Sequence, residues 1–187
     1  MECNMNFIGV DPGRKGGIAL ISEQGLRVWE MPPEQHRGIN LAELNEIITH
    51  HLTPWDGEPI GHVAIEWNTC RPEEVPDFAM RFGIQSGELR AMFFARGLDV
   101  DLVPPNTWMQ KLGLPGKDGD FECRQRAELV SREFPGSNEL WTGPRGGVHD
   151  GILESICIAL YERVYWSTPL GRKTGPRKPT FRGIEPE

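Results

Sequence analysis

The sequence predicts an α/β fold, in which a β-sheet is flanked by helices in a single domain. Two apolar runs, at residues 7–10 and 62–65, are uninterrupted by polar residues and contain β-branched side chains, which is typical of buried strands. Helical patterns follow and separate such runs along the chain, as in layered α/β domains. With 187 residues and 38% hydrophobic content, the chain can build one well-packed core but not two large ones.

Five strands are predicted. Three follow one another at residues 7–11, 17–22 and 26–31, joined by turns that contain glycine. A fourth ends at Glu66, after a connection rich in proline and glycine, and a fifth spans about residues 99–103.

Helical periodicity and capping residues predict five helices. Asn40 and Glu43 are a plausible capping pair at the start of the first helix. Gly97 follows the last periodic position of the second helix, where a C-terminal glycine is expected. The predicted helices cover residues 40–51 and 77–96, a brief segment from 104, then 122–134 and 148–165, with a charged loop at 111–120.

The C-terminal segment has a different composition. Residues 167–187 are rich in proline and glycine, poor in apolar residues and without periodicity, so we expect a disordered tail after a folded domain at residues 1–166. The tail is basic, while the chain as a whole carries a net charge of −7. That charge is unfavourable for a DNA-binding protein, although acids gathered at a metal site would account for part of it.

Cysteine usage and hydropathy exclude several classes of protein. The four cysteines are isolated, which argues against a zinc knuckle or a disulfide framework. No stretch is long enough to span a membrane, and the first residues lack the features of a signal peptide. We therefore expect a protein of a reducing cytoplasm, without a membrane partner.

Four acids stand beside core-forming segments: Asp11 and Glu66 end two buried strands, and Asp150 and Glu154 lie one turn apart at the start of the last helix. A carboxylate in such a place is costly unless a partner neutralises it. Each acid also has a purely structural interpretation, as a turn residue, a salt-bridged glutamate or a helix-terminal acid. Together they indicate one shared hard cation, Mg²⁺ or Mn²⁺.

Several segments in order resemble the RuvC-type Holliday-junction resolvases of the RNase H-like nuclease superfamily, most closely the compact phage-encoded branch. They are residues 8–19 (IGVDPGRKGGIA), 63–66 (VAIE), 87–89 (GEL), 103–108 (VPPNTW), 111–114 (KLGL) and 150–160 (DGILESICIAL). The resemblance implies an RNase H-like mixed β-sheet flanked by helices. It also implies two metal ions per active site, held by Asp11, Glu66, Asp150 and Glu154, although the last two acids are four apart here and usually three apart in the bacterial pattern.

The resemblance also implies residues that contact DNA. Lys111 or Lys117 would supply the functional lysine that the family carries in this stretch, and each is equally well interpreted as a solvated loop residue. His149 could approach the scissile phosphate, although a capping role is the commoner one. The remaining candidates are the cations Arg14 and Lys15 after the first acid, Trp67 and Arg71 after Glu66 for stacking on bases, and Arg172, Lys173, Arg177 and Lys178 in the tail.

The implied activity is metal-dependent endonucleolytic cleavage of four-way DNA junctions by paired nicks, by a homodimer whose two sites match the two-fold symmetry of the junction. Residues 77–96 would form the dimer interface. If the gene is carried by a phage, the protein would act in the host cytoplasm. Three alternatives remain open: a broader branched-DNA nuclease, a non-catalytic DNA-binding homologue, and an actin-like or sugar-kinase-like ATPase. A chain with one Asp-x-Gly motif and no expected nucleotide cofactor fits the ATPase poorly.

Overall fold

The structure is a computed structural model, and it describes residues 5–35, 38–52, 61–67, 76–114 and 119–167. A five-stranded mixed sheet forms its centre, in the order β3-β2-β1-β6-β7. The strands are β1 (Phe7–Asp11), β2 (Gly17–Ser22), β3 (Gly25–Glu30), β6 (His62–Glu66) and β7 (Asp99–Val103). The α/β class and the mixed sheet flanked by helices are therefore confirmed.

The central strand β1 fixes the register of the sheet. It pairs antiparallel with β2, with Val10 opposite Ile18, and parallel with β6, with Val10 opposite Ile65. Its five residues are all buried, as are all but the first residue of β6. Because β1 and β6 are parallel neighbours, their C-terminal residues, Asp11 and Glu66, emerge at the same edge of the sheet.

Helices cover both faces of the sheet, and each face has its own apolar core. On one face α5 (Asp150–Ser167) packs against β1, β2 and β6, and α4 (Gly119–Glu133) and α3 (Pro105–Lys111) pack beside it. On the other face lie α1 (Leu41–Ile47) and α2 (Pro76–Ala95). None of the helices in these described ranges is long and apolar enough to cross a membrane.

The predicted elements differ from the structure at a few boundaries. The first predicted helix divides into α1 and a π-helical turn at Ile48–Leu52, and α4 begins at Gly119 rather than at residue 122. The loop after α4 contains a 3₁₀ turn, Ser137–Leu140. The last helix extends through Ser167, so the predicted tail from residue 168 onwards lies outside the described residues.

One short hairpin, β4 (Glu34–Gln35) with β5 (Gly38–Ile39), was not predicted. Its stability comes from α2, because the Gln85 Nε2 donates to Glu34 at 2.9 Å and the Ile39 N–H donates to Glu88 at 2.8 Å. Two-residue strands held by a distant helix carry no alternating pattern of their own, so the local sequence does not reveal them.

A close approach at Gly9 determines how α5 sits on the sheet. A Cβ atom at Gly9 would lie 2.1 Å from the Ser155 carbonyl oxygen and 2.3 Å from the Ala159 nitrogen, both backbone atoms of α5. Only hydrogen fits there, so the helix backbone rests directly on β1. This contact brings the first turns of α5 to the edge of the sheet where Asp11 stands.

We expect Gly9→Ala to lower the free energy of unfolding by roughly 1–3 kcal/mol or more, because neither backbone segment can move without disturbing the core. The matched control is Gly147→Ala in the loop before α5, where an added Cβ meets no atom within 4 Å. Because this position is exposed and its backbone is not left-handed, the control should be neutral. Urea denaturation of both variants tests this, and a Gly9→Ala protein as stable as the wild type would contradict the packing described.

Candidate metal centre

Three of the four predicted acids come together at one edge of the sheet. Asp11, Glu66 and Glu154 each offer a carboxylate oxygen, and these oxygens all lie within 4.8 Å of one another. They belong to the end of β1, the end of β6 and the second turn of α5. Residues from three separate parts of the sequence therefore form one carboxylate group.

Asp11 is held in place by its own turn. Its Oδ1 accepts a hydrogen bond of 2.9 Å from the Gly13 N–H, and the side chain is buried. A carboxylate that accepts from the backbone two residues ahead is the usual device of an Asp turn. The turn continues into β2 through Gly16, which forms a bridge with Gly151 at the start of α5. The same turn therefore holds both Asp11 and the N-terminal end of α5.

Glu66 is oriented by a tryptophan. The indole Nε1 of Trp108, on α3, donates a hydrogen bond of 2.9 Å to Glu66 Oε2, and both side chains are buried. Because Trp108 is almost fully enclosed, the ring cannot turn away without opening the core. The hydrogen bond fixes the carboxylate of Glu66 in the direction of Asp11 and Glu154.

Asp150 lies beside the group of three but is not part of it. Its Oδ1 accepts from the Arg126 Nη2 at 2.8 Å, and the side chain is 58% exposed. The other terminal nitrogen of Arg126, Nη1, lies 3.2 Å from Glu154 Oε1. Arg126 is only 6% exposed and therefore forms a buried ionic link between the two acids of α5.

The electrostatics of the site are those of crowded carboxylates. Burial raises the pKa of Asp11 to about 7, and the charges of Glu66 and Asp150 add to the rise. Burial also raises the pKa of Glu154 to about 8, and the charge of Asp11 adds to that rise. Arg126 opposes both shifts, but it does not cancel them. Without a further cation, these two acids retain protons near neutral pH.

This donor set fits a divalent ion. Oxygen-only ligands suit Mg²⁺ or Mn²⁺, and metal–oxygen distances of about 2.1 Å place ligand oxygens within about 4.2 Å of one another. The oxygens of Asp11, Glu66 and Glu154, all within 4.8 Å, need only a small contraction to reach that geometry. A bound divalent cation would also make joint ionisation of the three acids favourable.

A cavity lined by two cations opens beside Asp150, at the start of α5. Its volume is about 740 Å³, and its lining includes Lys15, Arg145, His149 and Asp150. His149 closes the start of α5, because the Ile152 N–H points to its Nδ1 at 3.4 Å. The structure thus gives His149 a capping contact, and it places Lys15 and Arg145 around a cavity that Asp150 also lines.

The other residues predicted to contact DNA lie on several elements or outside the described residues. Arg14 is exposed in the turn after β1, and Lys111 is exposed at the end of α3, the helix that carries Trp108. Trp67 directly follows Glu66, is 36% exposed, and its ring centroid lies 6.2 Å from that of Phe82. The remaining candidates, Arg71, Lys117, Arg172, Lys173, Arg177 and Lys178, lie outside the described residues.

Sequence reasoning missed Arg126, Trp108 and Arg145 as site residues. A signal for Arg126 was present, because it stands three residues after Cys123 and four before Val130, on the buried stripe of α4. An arginine on such a stripe requires acidic partners. The role of Trp108 depends on a contact between distant segments, and the sequence carries no sign of it.

Solved structures with the same architecture are known. The chain is similar to the structure of T. thermophilus RuvC in complex with a Holliday junction substrate, with 14% sequence identity, a TM-score of 0.54, and coverage of 86% of this chain and 94% of that chain. It is also similar to another Thermus thermophilus RuvC structure, with 22% identity, the same TM-score, and coverage of 86% and 95%. The fold is RuvC-like. No protein-family model matches the chain, and no curated protein matches it by sequence.

We expect Trp108→Phe to weaken divalent-cation binding by about 10- to 100-fold, because the ring volume stays while the hydrogen bond to Glu66 is lost. Isothermal titration with Mn²⁺ measures this directly. Trp29→Phe serves as the control, since Trp29 lies on the edge strand β3. Equal affinities in wild type and Trp108→Phe would show that the indole does not orient the ligand.

The raised pKa values of Asp11 and Glu154 predict how the stability of the metal-free protein depends on pH. In the folded state Asp11 and Glu154 keep protons that they release above about pH 4 in the unfolded chain. The free energy of unfolding is therefore highest below about pH 4, and it decreases as the pH rises from there through the folded pKa values of about 7 and about 8. Asp11→Asn removes one of these titrations and should stabilise the metal-free protein at pH 8.5 by on the order of 2 kcal/mol.

This is tested by measuring melting temperatures between pH 5 and 8.5 in the presence of a chelator. Glu139→Gln, which neutralises an exposed acid outside the site, is the control. Saturating Mg²⁺ should restore wild-type stability at pH 8.5 and do little for Asp11→Asn. A wild-type melting temperature that rises with pH in the chelator would contradict the assignment.

Proposed function

We propose that the chain is a metal-dependent endonuclease that cuts four-way DNA junctions by paired nicks. The observation that carries the proposal is the carboxylate group of Asp11, Glu66 and Glu154 at one edge of a RuvC-like sheet. A solved structure with this fold, that of T. thermophilus RuvC, holds a Holliday junction substrate. The shared fold, together with the carboxylate group of this chain, supports the same class of chemistry here.

The three carboxylates would hold the catalytic cation, and their neighbours would set its environment. Mg²⁺ or Mn²⁺ bound there supplies a water of lowered pKa and neutralises charge that develops on the phosphodiester. Trp108 fixes the direction of Glu66, and Arg126 holds Glu154 from the opposite side. Gly9 keeps α5 close enough for Glu154 to reach the edge of the sheet.

The cavity beside Asp150 would receive the DNA backbone. Lys15 and Arg145 line it, and both would contact phosphates there. Arg14 extends the same positive turn. Trp67, exposed directly after Glu66, is placed to stack on an unpaired base. These local cations would offset the unfavourable net charge of −7, because Lys15 and Arg145 line the same cavity.

A homodimer built on α2 would supply the second nick. Met80, Ile84 and Phe94 are exposed on the side of α2 that faces away from the sheet. Gly83 and Gly87 lie between them one turn apart, and a Cβ atom at either would meet no neighbour within 4 Å. Such a face allows the backbone of an identical helix to approach closely, and a two-fold axis matches the symmetry of a four-way junction.

We expect Asp11→Asn to abolish nicking of a four-way junction while junction affinity changes less than about threefold, because phosphate contacts supply most of the affinity. Labelled four-way, forked and linear DNA are incubated with and without Mg²⁺, and binding is measured in Ca²⁺. Glu139→Gln, which changes an exposed acid elsewhere, is the control. Nicking by Asp11→Asn near the wild-type rate would refute the metal site, and forks cut as fast as junctions would favour the broader branched-DNA nuclease.

We expect the wild-type protein to be a dimer and Ile84→Asp with Phe94→Asp to be a folded monomer, since two charges would be buried in the interface. Light scattering after size exclusion measures the mass of each. Leu140→Asp is the control, because Leu140 is 38% exposed, as Ile84 is 37% exposed, but lies away from α2. A monomeric wild type at micromolar concentration would remove the dimer from the proposal.

A further inference from the structure

Arg126 reaches into the carboxylate site from a separate helix. It extends from α4 and engages two acids of α5, Asp150 Oδ1 at 2.8 Å and Glu154 Oε1 at 3.2 Å. The guanidinium uses both of its terminal nitrogens for these contacts, and it is 6% exposed. A buried, two-sided ion pair of this kind is a fixed part of the site and not a passing surface contact.

The charge of Arg126 is permanent. A guanidinium does not lose its proton in a protein, and here the negative charges of Glu154 and Asp150 favour the charged form further. The side chain is therefore a monovalent cation at a fixed position, in direct contact with Glu154, one of the three carboxylates of the group.

A second divalent ion bound by Asp150 and Glu154 would share these carboxylates with Arg126, which engages one oxygen of each. Both acids lie near the start of α5 next to the guanidinium, whereas Asp11 and Glu66 end strands of the sheet. Asp150 is outside the three-carboxylate group, and its Oδ1 is bonded to Arg126. A second ion between Asp150 and Glu154 would therefore lie against a buried guanidinium and be repelled by its charge.

We propose that Arg126 takes the place of a second metal ion, so that the site holds one divalent ion between Asp11, Glu66 and Glu154. In this arrangement Asp150 is a partner of Arg126 and not a metal ligand. The existence of the metal site itself rests on the proposed function. The sequence resemblance implies two ions per site, and here one ion and the guanidinium of Arg126 stand in their place.

The number of bound ions tests the proposal without any measurement of cleavage. Mn²⁺ is titrated into the full-length protein by calorimetry, and the electron paramagnetic resonance spectrum of the loaded protein reports whether two ions lie within about 4 Å of each other. The wild type should bind one ion per chain with an uncoupled spectrum. Arg126→Gln should bind two ions with a spin-coupled spectrum, because Asp150 and Glu154 are then released.

The matched control is Arg132→Gln. Arg132 belongs to the same helix and its side chain is 72% exposed, so this variant should bind one Mn²⁺ ion per chain, as the wild type does. Two ions in the wild type would overturn the proposal, as would a count that remains at one in a folded Arg126→Gln protein. No bound ion in the wild type would instead overturn the metal site itself, and with it the proposed function, so the two failures are distinguishable.

A second variant decides the question if Arg126→Gln does not fold. Asp150→Asn keeps an oxygen that can accept from Arg126 and removes only the charge that a metal ligand would need. The proposal expects one ion with an affinity within about threefold of the wild type. A loss of the ion, or an affinity at least tenfold weaker, would show that Asp150 is a metal ligand and would overturn the proposal.

Discussion

Mutual repulsion among Asp11, Glu66 and Glu154 is the constraint around which the rest of the structure is arranged. Three carboxylates within 4.8 Å at a buried edge cannot all ionise without a compensating charge. Burial, with repulsion added to it, raises the pKa values of Asp11 and Glu154 in the metal-free state. Such a site lowers the stability of the empty protein, and in enzymes generally this cost accompanies a site that is prepared for a cation.

The scaffold holds the acids against this repulsion by tight packing. The parallel pairing of β1 and β6 places Asp11 and Glu66 side by side, and the approach of α5 over Gly9 adds Glu154 from the face of the sheet. Hydrogen bonds then fix individual oxygens, with Trp108 as the donor to Glu66. Backbone geometry brings the acids together, and side-chain contacts fix their direction.

Much of this architecture follows from the sequence, because short-range patterns determine it. The strands β1, β2 and β7 match their predicted bounds, and the predicted acids Asp11 and Glu66 do stand at the ends of buried strands. The hairpin β4–β5 was not predicted, since its stability depends on α2.

The details of the site depended on contacts between distant segments. Asp150 and Glu154 share one helix face in the sequence pattern, yet only Glu154 joins the carboxylate group, because Asp150 turns to Arg126. Arg126 itself lies on a polar helix, where arginines are commonly surface residues. A one-dimensional pattern identifies which acids are near an edge, but it does not reveal which of them share a cation.

The packing of α5 on β1 also bears on the synthesis of the protein. The strand that carries Asp11 leaves the ribosome well before the helix that carries Glu154. Pairing of β1 with β2 can begin early, but the face of β1 at Gly9 has no cover until α5 emerges. A nascent chain therefore exposes apolar surface on β1 and lacks one carboxylate of the candidate metal centre. Covering of this face of β1 and completion of the site are the same late event.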